Sequence, residues 1–380
     1  MKIDVCSGIY IHIPFCLQKC DYCDFLSFEV NEQTQNAYVN TLLHEMRSVS
    51  IDHEVSTIYI GGGTPTALPS HLLCKIIAAA KTLAPSAIEI TVEANPGTLT
   101  REYLAGLKSH GVTRLSMGLQ TTKPHLLRAI NRLHSMTDFL DNFHAAREAG
   151  FDNINVDLMF ALPGQTLQEW QETLTEIIAL SPEHISAYSL TPAENTPLWS
   201  ALENGKIHLP SDETDRDMYH MARKCLADAG YIHYELSNFA KPGYESRHNV
   251  NCWRRVPYHG FGLGAHSFDG VKRWHNTEDM GEYLAGHHTP QGIDELSEAD
   301  IQAEIMILGL RLTEGIRESE IPQAFKGEVE AQKIKRACAR VSYRAISYSM
   351  KKGLLALENG YVKLTARGMD LANQVFEAFL

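Results

Sequence analysis

The sequence of 380 residues lacks an apolar run of the roughly 20 residues that a membrane-spanning helix needs. It also lacks an amino-terminal basic stretch followed by an apolar segment, so we expect a cytoplasmic protein with reduced thiols. Basic residues are in short supply: 34 Lys and Arg stand against 46 Asp and Glu, a formal net charge of -12. Phosphate contacts need a basic surface, so the composition argues against a nucleic-acid partner.

Short apolar runs alternate with segments of helical periodicity through the first half of the chain. The runs are IYIHI (9–13), STIYIGG (56–62), AIEITVEANP (87–96), RLSMGLQ (114–120), NINVDLMFALPG (153–164) and HISAYSL (184–190). Strands that alternate with helices form a parallel sheet with right-handed crossovers. A closed barrel has eight such units. Because only six precede the end of the pattern near Leu190, we predict an open, partial (β/α)6 barrel of the α/β class.

We predict three regions along the chain. The barrel spans 1–195, a connecting region with the loop HNVNCW spans 196–296, and a smaller, mainly helical α+β domain spans 297–380. A helix is expected near 211–229 and a β-like segment at 231–240. From Ser347 the pattern indicates a helix, a two-stranded hairpin and a helix, which resembles a winged helix. The acidic balance favours a packing domain over a DNA reader.

Three of the eight cysteines lie in the stretch YIHIPFCLQKCDYCDF, directly after the first predicted strand. A structural zinc site takes four ligands, usually as two close pairs, and no second C-x2-C is present. A thioredoxin-like pair of Cys20 and Cys23 would leave Cys16 unexplained. A [4Fe–4S] cluster normally takes four thiolates, and three would leave one iron open to a small molecule. We therefore predict a cluster held by Cys16, Cys20 and Cys23.

The turn GGGTPT (61–66) follows the second predicted strand. Its glycines allow a ligand to approach the backbone closely, and Thr64 adds a hydroxyl group. A nucleotide phosphate loop would continue with Gly-Lys-Ser/Thr, which is missing here.

Charged and amide side chains also interrupt the later apolar strands or follow them. Glu93, Gln120 and Asp157 are costly to bury without a partner, and Arg132 lies in a nearby connection. Together they suggest a shared ligand.

The spacing C-x3-C-x2-C, with Tyr22 before the last cysteine, resembles the signature of the radical S-adenosylmethionine (SAM) superfamily. The resemblance implies that SAM chelates the open iron through its amino and carboxylate groups. One-electron transfer would then cleave SAM to methionine and a 5′-deoxyadenosyl radical. It further implies that the glycine turn accepts the amino group, Arg132 the carboxylate, Asp157 and Gln120 the ribose hydroxyls, and Glu93 a cationic centre. The implied SAM-binding residues are Tyr10, Tyr22, Gly62, Gly63, Thr64, Glu93, Gln120, Arg132 and Asp157.

The segments IHIPFC, GGGTPT, VEANPGT, GLQ, NRLHS and VDLMFALPGQT are together similar to the oxygen-independent coproporphyrinogen III oxidases and their relatives. The oxidases carry a further cysteine two positions after the third, where Phe25 stands here, and an extension before the cluster strand. Both differences favour the haem chaperone (HemW) family, which lacks the oxidase activity. The alternatives are the oxidase itself and a radical SAM enzyme with an unrelated substrate.

The sequence HNVNCW (248–253) resembles the HemW motif H-N-x-x-Y-W, with Cys252 in place of the tyrosine. The resemblance implies haem contacts at His248, Asn249 and Trp253, with His248 as the iron ligand. His259 and His266 are local alternatives, and Cys252 could supply a thiolate. Nearby arginines, at 247, 254 and 255, would pair with haem propionates or form a solvated basic loop.

The resemblance assigns no catalytic residue. It implies haem, recipient haem proteins and an electron donor as partners, and it leaves transient membrane association and a homodimer open.

Overall fold

The computed structural model describes residues 7–51, 53–321 and 344–380. Six parallel strands form the centre of its main sheet: β1 (Ser7–Ile13), β2 (Val55–Gly62), β3 (Glu89–Ala94), β4 (Arg114–Gln120), β5 (Ile154–Phe160) and β6 (His184–Ser189). They lie side by side in chain order, each parallel to the next. This arrangement confirms the predicted partial barrel, although the run at 153–164 ends as a strand at Phe160.

The helices between these strands cover the outer face of the sheet. They are α1 (Glu32–Ser48), α2 (Ser70–Leu83), α3 (Arg101–Ser109), α4 (Pro124–Ala129), α5 (Met136–Glu148) and α6 (Leu167–Leu180). Capping boxes, Ser135 with Asp138 and Thr166 with Glu169, start α5 and α6. Outward-facing residues such as Ile58 and Ile60 are fully buried in the core beneath the helices. Since side chains alternate along a strand, the opposite face is left to line the barrel interior.

The connecting region adds strands to both edges of this sheet. After α7 (Pro197–Glu203) and α8 (Asp212–Asp228), a hairpin of β7 (Ile232–Glu235) and β8 (Asn238–Ala240) pairs with β6. The predicted single segment at 231–240 is thus two strands. The Glu235 carboxylate favours the turn between them, because it accepts hydrogen bonds from Ser237 N at 2.7 Å and Asn238 Nδ2 at 2.6 Å.

At the other edge, β9 (Tyr258–Phe261) runs parallel to β1. It continues into an antiparallel meander of β10 (His266–Phe268), β11 (Lys272–His275) and β12 (Gln291–Glu295). Over the described residues the sheet has twelve strands, in the order β12-β11-β10-β9-β1-β2-β3-β4-β5-β6-β8-β7.

A short helix, α9 (Arg247–Trp253), closes the amino-terminal end of the barrel. The buried Glu89 carboxylate accepts hydrogen bonds from the backbone N–H groups of Arg247 at 2.9 Å and His248 at 3.0 Å. A carboxylate at a helix amino terminus satisfies N–H groups that have no partner within the helix. The sequence HNVNCW therefore forms a helix that covers the amino-terminal end of the barrel, and it is not an open loop.

The carboxy-terminal part follows α10 (Met280–Leu284) and α11 (Glu298–Gly309). Three antiparallel strands, β13 (Ile316–Arg317), β14 (Leu355–Glu358) and β15 (Tyr361–Leu364), share a small core with Met306, Leu310 and Val375. Residues 344–351 are helical, and two short helices, Ala366–Asp370 and Ala372–Glu377, end the chain. This agrees with the predicted helix–hairpin–helix order. Residues 322–343 of the predicted carboxy-terminal domain, and Cys6, lie outside the described residues. The limits of the three regions stay predictions.

Among the helices that the structure describes, none combines the length and apolar character needed to cross a membrane.

Candidate functional site

A cavity of about 460 Å³ opens at the carboxyl ends of the parallel strands. Ligand sites of parallel barrels and open α/β sheets normally lie at this edge. The cavity brings together almost the entire set of residues predicted from the sequence to hold the cluster and SAM. They are Cys16, Cys20, Tyr22, Cys23, Gly62, Gly63, Thr64, Glu93, Gln120, Arg132 and Asp157.

The cysteine loop leaves β1 and is held at its base by backbone hydrogen bonds. Cys16 N donates to Phe28 O at 3.1 Å, and Phe28 N donates to Pro14 O at 2.8 Å. All the cysteines of this loop are free and half-buried. Burial, followed by the neighbouring thiols, raises the pKa of Cys23. A bound metal opposes this effect, because it deprotonates the thiols that coordinate it.

The thiols of the cysteine loop line one cavity without forming a single-ion site. Within residues 7–51, 53–321 and 344–380, no three His, Cys, Asp or Glu side chains converge closely enough to hold one metal ion. The thiols of Cys16, Cys20 and Cys23 nevertheless face the same cavity. A cluster fits such an arrangement, because each thiolate binds a different iron atom.

The glycine turn packs directly against the cysteine loop. Gly63 N donates to Ile13 O at 2.9 Å, and Thr64 N donates to Phe15 O at 2.7 Å. A Cβ atom on Gly63 would lie 2.7 Å from Phe15 O and 3.0 Å from Cys16 Sγ. The position therefore requires glycine for space. Gly62 requires it for backbone conformation as well, since its φ is +117°.

Glu93 points from β3 into the cavity beneath this turn. Its carboxylate accepts hydrogen bonds from Tyr59 Oη at 2.6 Å and from Gly62 N at 3.2 Å. Burial is the main reason why its pKa rises to about 7. Glu93 is thus poised between its neutral and charged forms near physiological pH, and a cationic ligand would favour the charged form.

Asp157 lies in the middle of β5, and Gln120 ends the neighbouring strand β4. Asp157 accepts hydrogen bonds from Asn155 Nδ2 at 2.7 Å and from Ser116 Oγ at 3.4 Å, and burial raises its pKa. Gln120 adopts a left-handed φ of 70°, and its Oε1 accepts from Tyr188 Oη at 3.0 Å. Both side chains are held in place before any ligand arrives.

The buried guanidinium of Arg132 links the cysteine loop to the ends of the strands. It donates to Cys20 Sγ at 3.5 Å, to Asn95 Oδ1 at 2.8 Å and to the carbonyl oxygen of Gly118. Its Nε has no hydrogen-bond partner among the residues that the structure describes. The site therefore has a spare buried donor for an anionic group, which agrees with the predicted contact to a carboxylate.

Sequence reasoning missed Asn95 and Tyr188. The Asn95 amide donates to Thr64 Oγ1 at 2.7 Å and accepts from Arg132, so it joins the glycine turn to the arginine. Its position directly after a strand was the available signal. Tyr188 is the polar residue near the end of β6 and lines the same cavity.

Tyr10 is separated from the other predicted SAM residues. It is not among the residues that line the cavity, and its hydroxyl lies 2.9 Å from His12 Nδ1. Its SAM role stays a prediction.

The motif residues predicted to contact haem do not share one open surface. His248 is only 6% exposed, its Nδ1 lies 3.0 Å from Thr57 Oγ1, and its ring stacks on Tyr59. Burial, followed by the charge of Arg114, lowers its pKa to about 4. Asn249 faces the barrel interior, whereas Trp253 lies under the Arg311 guanidinium, 4.2 Å from it. The haem roles of these residues stay predictions, and ligation by His248 would require α9 to move.

The alternative haem contacts differ in how accessible they are. Burial raises the pKa of Cys252 to about 11, which disfavours a thiolate there. The His259 ring packs 4.6 Å from that of Phe261, whereas His266 is exposed.

Two of the three arginines near the motif already have carboxylate partners. Arg255 Nε donates to Glu304 at 2.8 Å, and Arg254 pairs with Glu314 at 3.3 Å. Haem propionates would have to compete with these pairs. Arg247 is exposed.

The family models agree with this site and fold. The radical SAM superfamily model matches residues 10–177, and the model of the HemN C-terminal domain matches residues 296–371. The heme chaperone HemW of Bacillus subtilis is 38% identical over 98% of this chain and 99% of its own. This chain belongs to the HemW family of radical SAM proteins.

Other members of the HemW family match over comparable lengths. HemW of Lactococcus lactis is 36% identical over 98% of this chain and 97% of its own. For HemW of Escherichia coli the identity is 33% over 98% of both chains. The radical SAM family implies a [4Fe–4S] cluster and SAM, which the donor set of the cavity fits.

Among solved structures, the coproporphyrinogen III oxidase HemN of Escherichia coli superposes with a TM-score of 0.81. The superposition covers 98% of this chain and 90% of that one. At 23% identity, this likeness shows the fold alone.

Proposed function

We propose that the chain is a haem chaperone that binds haem and delivers it to haem proteins, with a [4Fe–4S] cluster and SAM as cofactors. The observation that carries the proposal is the match to HemW proteins over 98% of the chain. Phe25 supports it, because this residue is 62% exposed at the cavity and takes the position of the oxidase's additional cysteine.

In this proposal the residues of the cavity bind and orient SAM. When bound, the cluster on Cys16, Cys20 and Cys23 supplies an open iron for the amino and carboxylate groups of SAM. The fork of Arg132 is suited to the carboxylate. Asp157 and Gln120 would accept the ribose hydroxyls, and Glu93 would face positive charge.

The proposed haem ligand, His248, is not accessible to haem in this structure. The imidazole is enclosed between Thr57 and Tyr59, so haem can reach it only after α9 separates from the end of the barrel. We therefore expect haem association to be slow and limited by this opening. Recipient haem proteins, an electron donor and a cytoplasmic location complete the proposal, while a homodimer and transient membrane contact stay predictions.

The rival function is oxygen-independent coproporphyrinogen III oxidation, which the HemN-like fold accommodates. One paired experiment separates the two. Anaerobically reconstituted protein is incubated with coproporphyrinogen III, SAM and a reductant, while a second sample is titrated with haem and followed by visible absorbance. We expect haem binding and no protoporphyrinogen.

A His248→Ala variant should lose the absorbance of histidine-ligated haem, and a His71→Ala variant is the matched control at an exposed histidine of α2. Protoporphyrinogen that forms in wild type, but not after Cys16, Cys20 and Cys23 are all replaced by Ala, would establish the oxidase instead. A wild type that binds no haem would refute the chaperone.

A further inference from the structure

A second cavity, of about 230 Å³, lies inside the barrel beneath the SAM site. Its lining includes Tyr59, Glu93, Arg114, Asp157 and Asn249, and every lining side chain carries a hydrogen-bonding group. Glu93 and Asp157 line the cofactor cavity as well, so the two spaces meet at these carboxylates. The interior of the barrel is therefore a polar chamber, which extends from the SAM site toward α9.

Arg114 is the cation of this chamber. It projects from β4, is 2% exposed and ranks among the largest fully buried side chains. Its Nε has no hydrogen-bond partner within the part of the chain that the structure describes. An uncompensated charge in the interior is strongly unfavourable, so negative charge must balance the guanidinium across the chamber.

Within the described residues, Glu93 and Asp157 are carboxylates of the chamber that interact electrostatically with Arg114, whereas the buried Glu89 carboxylate accepts hydrogen bonds from two N–H groups of α9. The interacting groups are Tyr59 on β2, Glu93 on β3, Asp157 on β5, His184 on β6, Tyr234 on β7 and His248 on α9. Burial raises the pKa values of both tyrosines and lowers those of both histidines, so all of them are neutral near pH 7. Glu93 and Asp157 remain as the counter-charges.

We propose that Arg114 is a positioning residue of the SAM site, the internal counter-charge that favours the ionised forms of Glu93 and Asp157, which receive SAM. This inference rests on the proposed SAM binding. Both carboxylates face the barrel interior and are partly buried, and without a nearby cation this burial favours their protonated forms. A protonated pair would offer SAM neither a negative charge for its cationic centre nor two acceptors for its ribose.

The test measures SAM affinity against pH in the reconstituted protein. In wild type, affinity should rise as the pH rises through about 7, because the pKa of Glu93 is about 7 and the ionised form binds. A neighbouring opposite charge lowers the pKa of a carboxyl group by about one to three units. Loss of one unit of this effect reduces the ionised fraction of Glu93 at pH 7 from about one half to about one eleventh. We therefore expect R114Q to bind SAM at least about fivefold more weakly near pH 7 and to recover at higher pH, whereas R114K keeps the wild-type profile.

The matched control is Arg147, which forms a two-pronged pair with Glu183 at 2.7 and 3.0 Å, away from the chamber. R147Q should lower thermal stability without moving the pH profile. An R114Q profile that coincides with that of wild type, at equal cluster content, would overturn the proposal.

A second measurement does not depend on SAM. If R114Q folds poorly, the double variant R114Q/D157N should be more stable than R114Q alone, because it removes the unbalanced carboxylate together with the cation. A merely structural arginine would give two additive losses, and that result also overturns the proposal. If wild type binds no SAM, the proposed function fails, while the stability comparison still tests the counter-charge.

Discussion

The contact between the glycine turn and the cysteine loop predicts the effect of Gly63→Ala on the cluster. The new Cβ would lie 2.7 Å from Phe15 O, whereas ordinary contacts begin at 3.4 Å, so one partner must move by about 0.7 Å. Phe15 O cannot yield easily, because it accepts the hydrogen bond from Thr64 N at 2.7 Å. The displacement therefore falls on the turn and on Cys16, whose sulfur would be 3.0 Å from the same Cβ.

Overpacking of this kind costs about 1–3 kcal/mol of folding stability. The larger consequence concerns the cluster, since metal ligands tolerate errors of only about 0.2 Å in distance. We expect the variant to fold, with a lower melting temperature, and to retain less iron and sulfide per chain after anaerobic reconstitution. SAM affinity should fall with the cluster content.

The assay combines iron and sulfide analysis with thermal unfolding of the cluster-free protein. Gly106→Ala is the control: its Cβ would meet two side-chain atoms, Ser70 Oγ at 3.2 Å and Cys74 Sγ at 3.7 Å, and alanine favours the helix by up to about 1 kcal/mol. If Gly63→Ala reconstitutes a full cluster and binds SAM like wild type, the reasoning from the close contact is wrong.

Two further predictions concern Asn95 and Glu304. Asn95→Ala removes one of the acceptors that hold the Arg132 guanidinium, a charge-assisted hydrogen bond worth about 1.5–3 kcal/mol, so SAM affinity measured by titration should fall about tenfold or more; unchanged affinity would contradict this. Burial raises the pKa of Glu304, but hydrogen bonds from Arg273 and Arg255 outweigh it and lower the pKa overall. Its contribution to stability is therefore present above the pKa of the unfolded chain and is lost as the pH falls. In urea unfolding, the free energy of unfolding of Glu304→Gln should fall less than that of wild type on acidification from about pH 5. Glu203→Gln, at an exposed position, should behave like wild type. If wild type and Glu304→Gln lose the same stability on acidification, Glu304 does not make this contribution.

The sequence by itself determined the barrel and most of the cofactor site. Alternating apolar runs predict the six parallel strands, and such strands place the residues at their carboxyl ends beside one another. For this reason Cys16, Gly63, Glu93 and Asp157, far apart in the chain, line one cavity. Spacing and periodicity predict the strands, whereas the roles of these residues in cofactor binding come from the resemblance to radical SAM proteins and stay predictions.

Only the tertiary structure decided the roles of residues whose partners are distant in the chain. The position of α9 at the end of the barrel depends on contacts such as that between His248 and Thr57, which are 191 residues apart. No local pattern reports which way an imidazole faces, so the sequence could not reveal that His248 is enclosed. In the sequence RLSMGLQ nothing distinguishes Arg114 from other strand residues. Its proposed role depends on its burial inside the barrel, where Glu93 and Asp157 line the same cavity and can balance its charge.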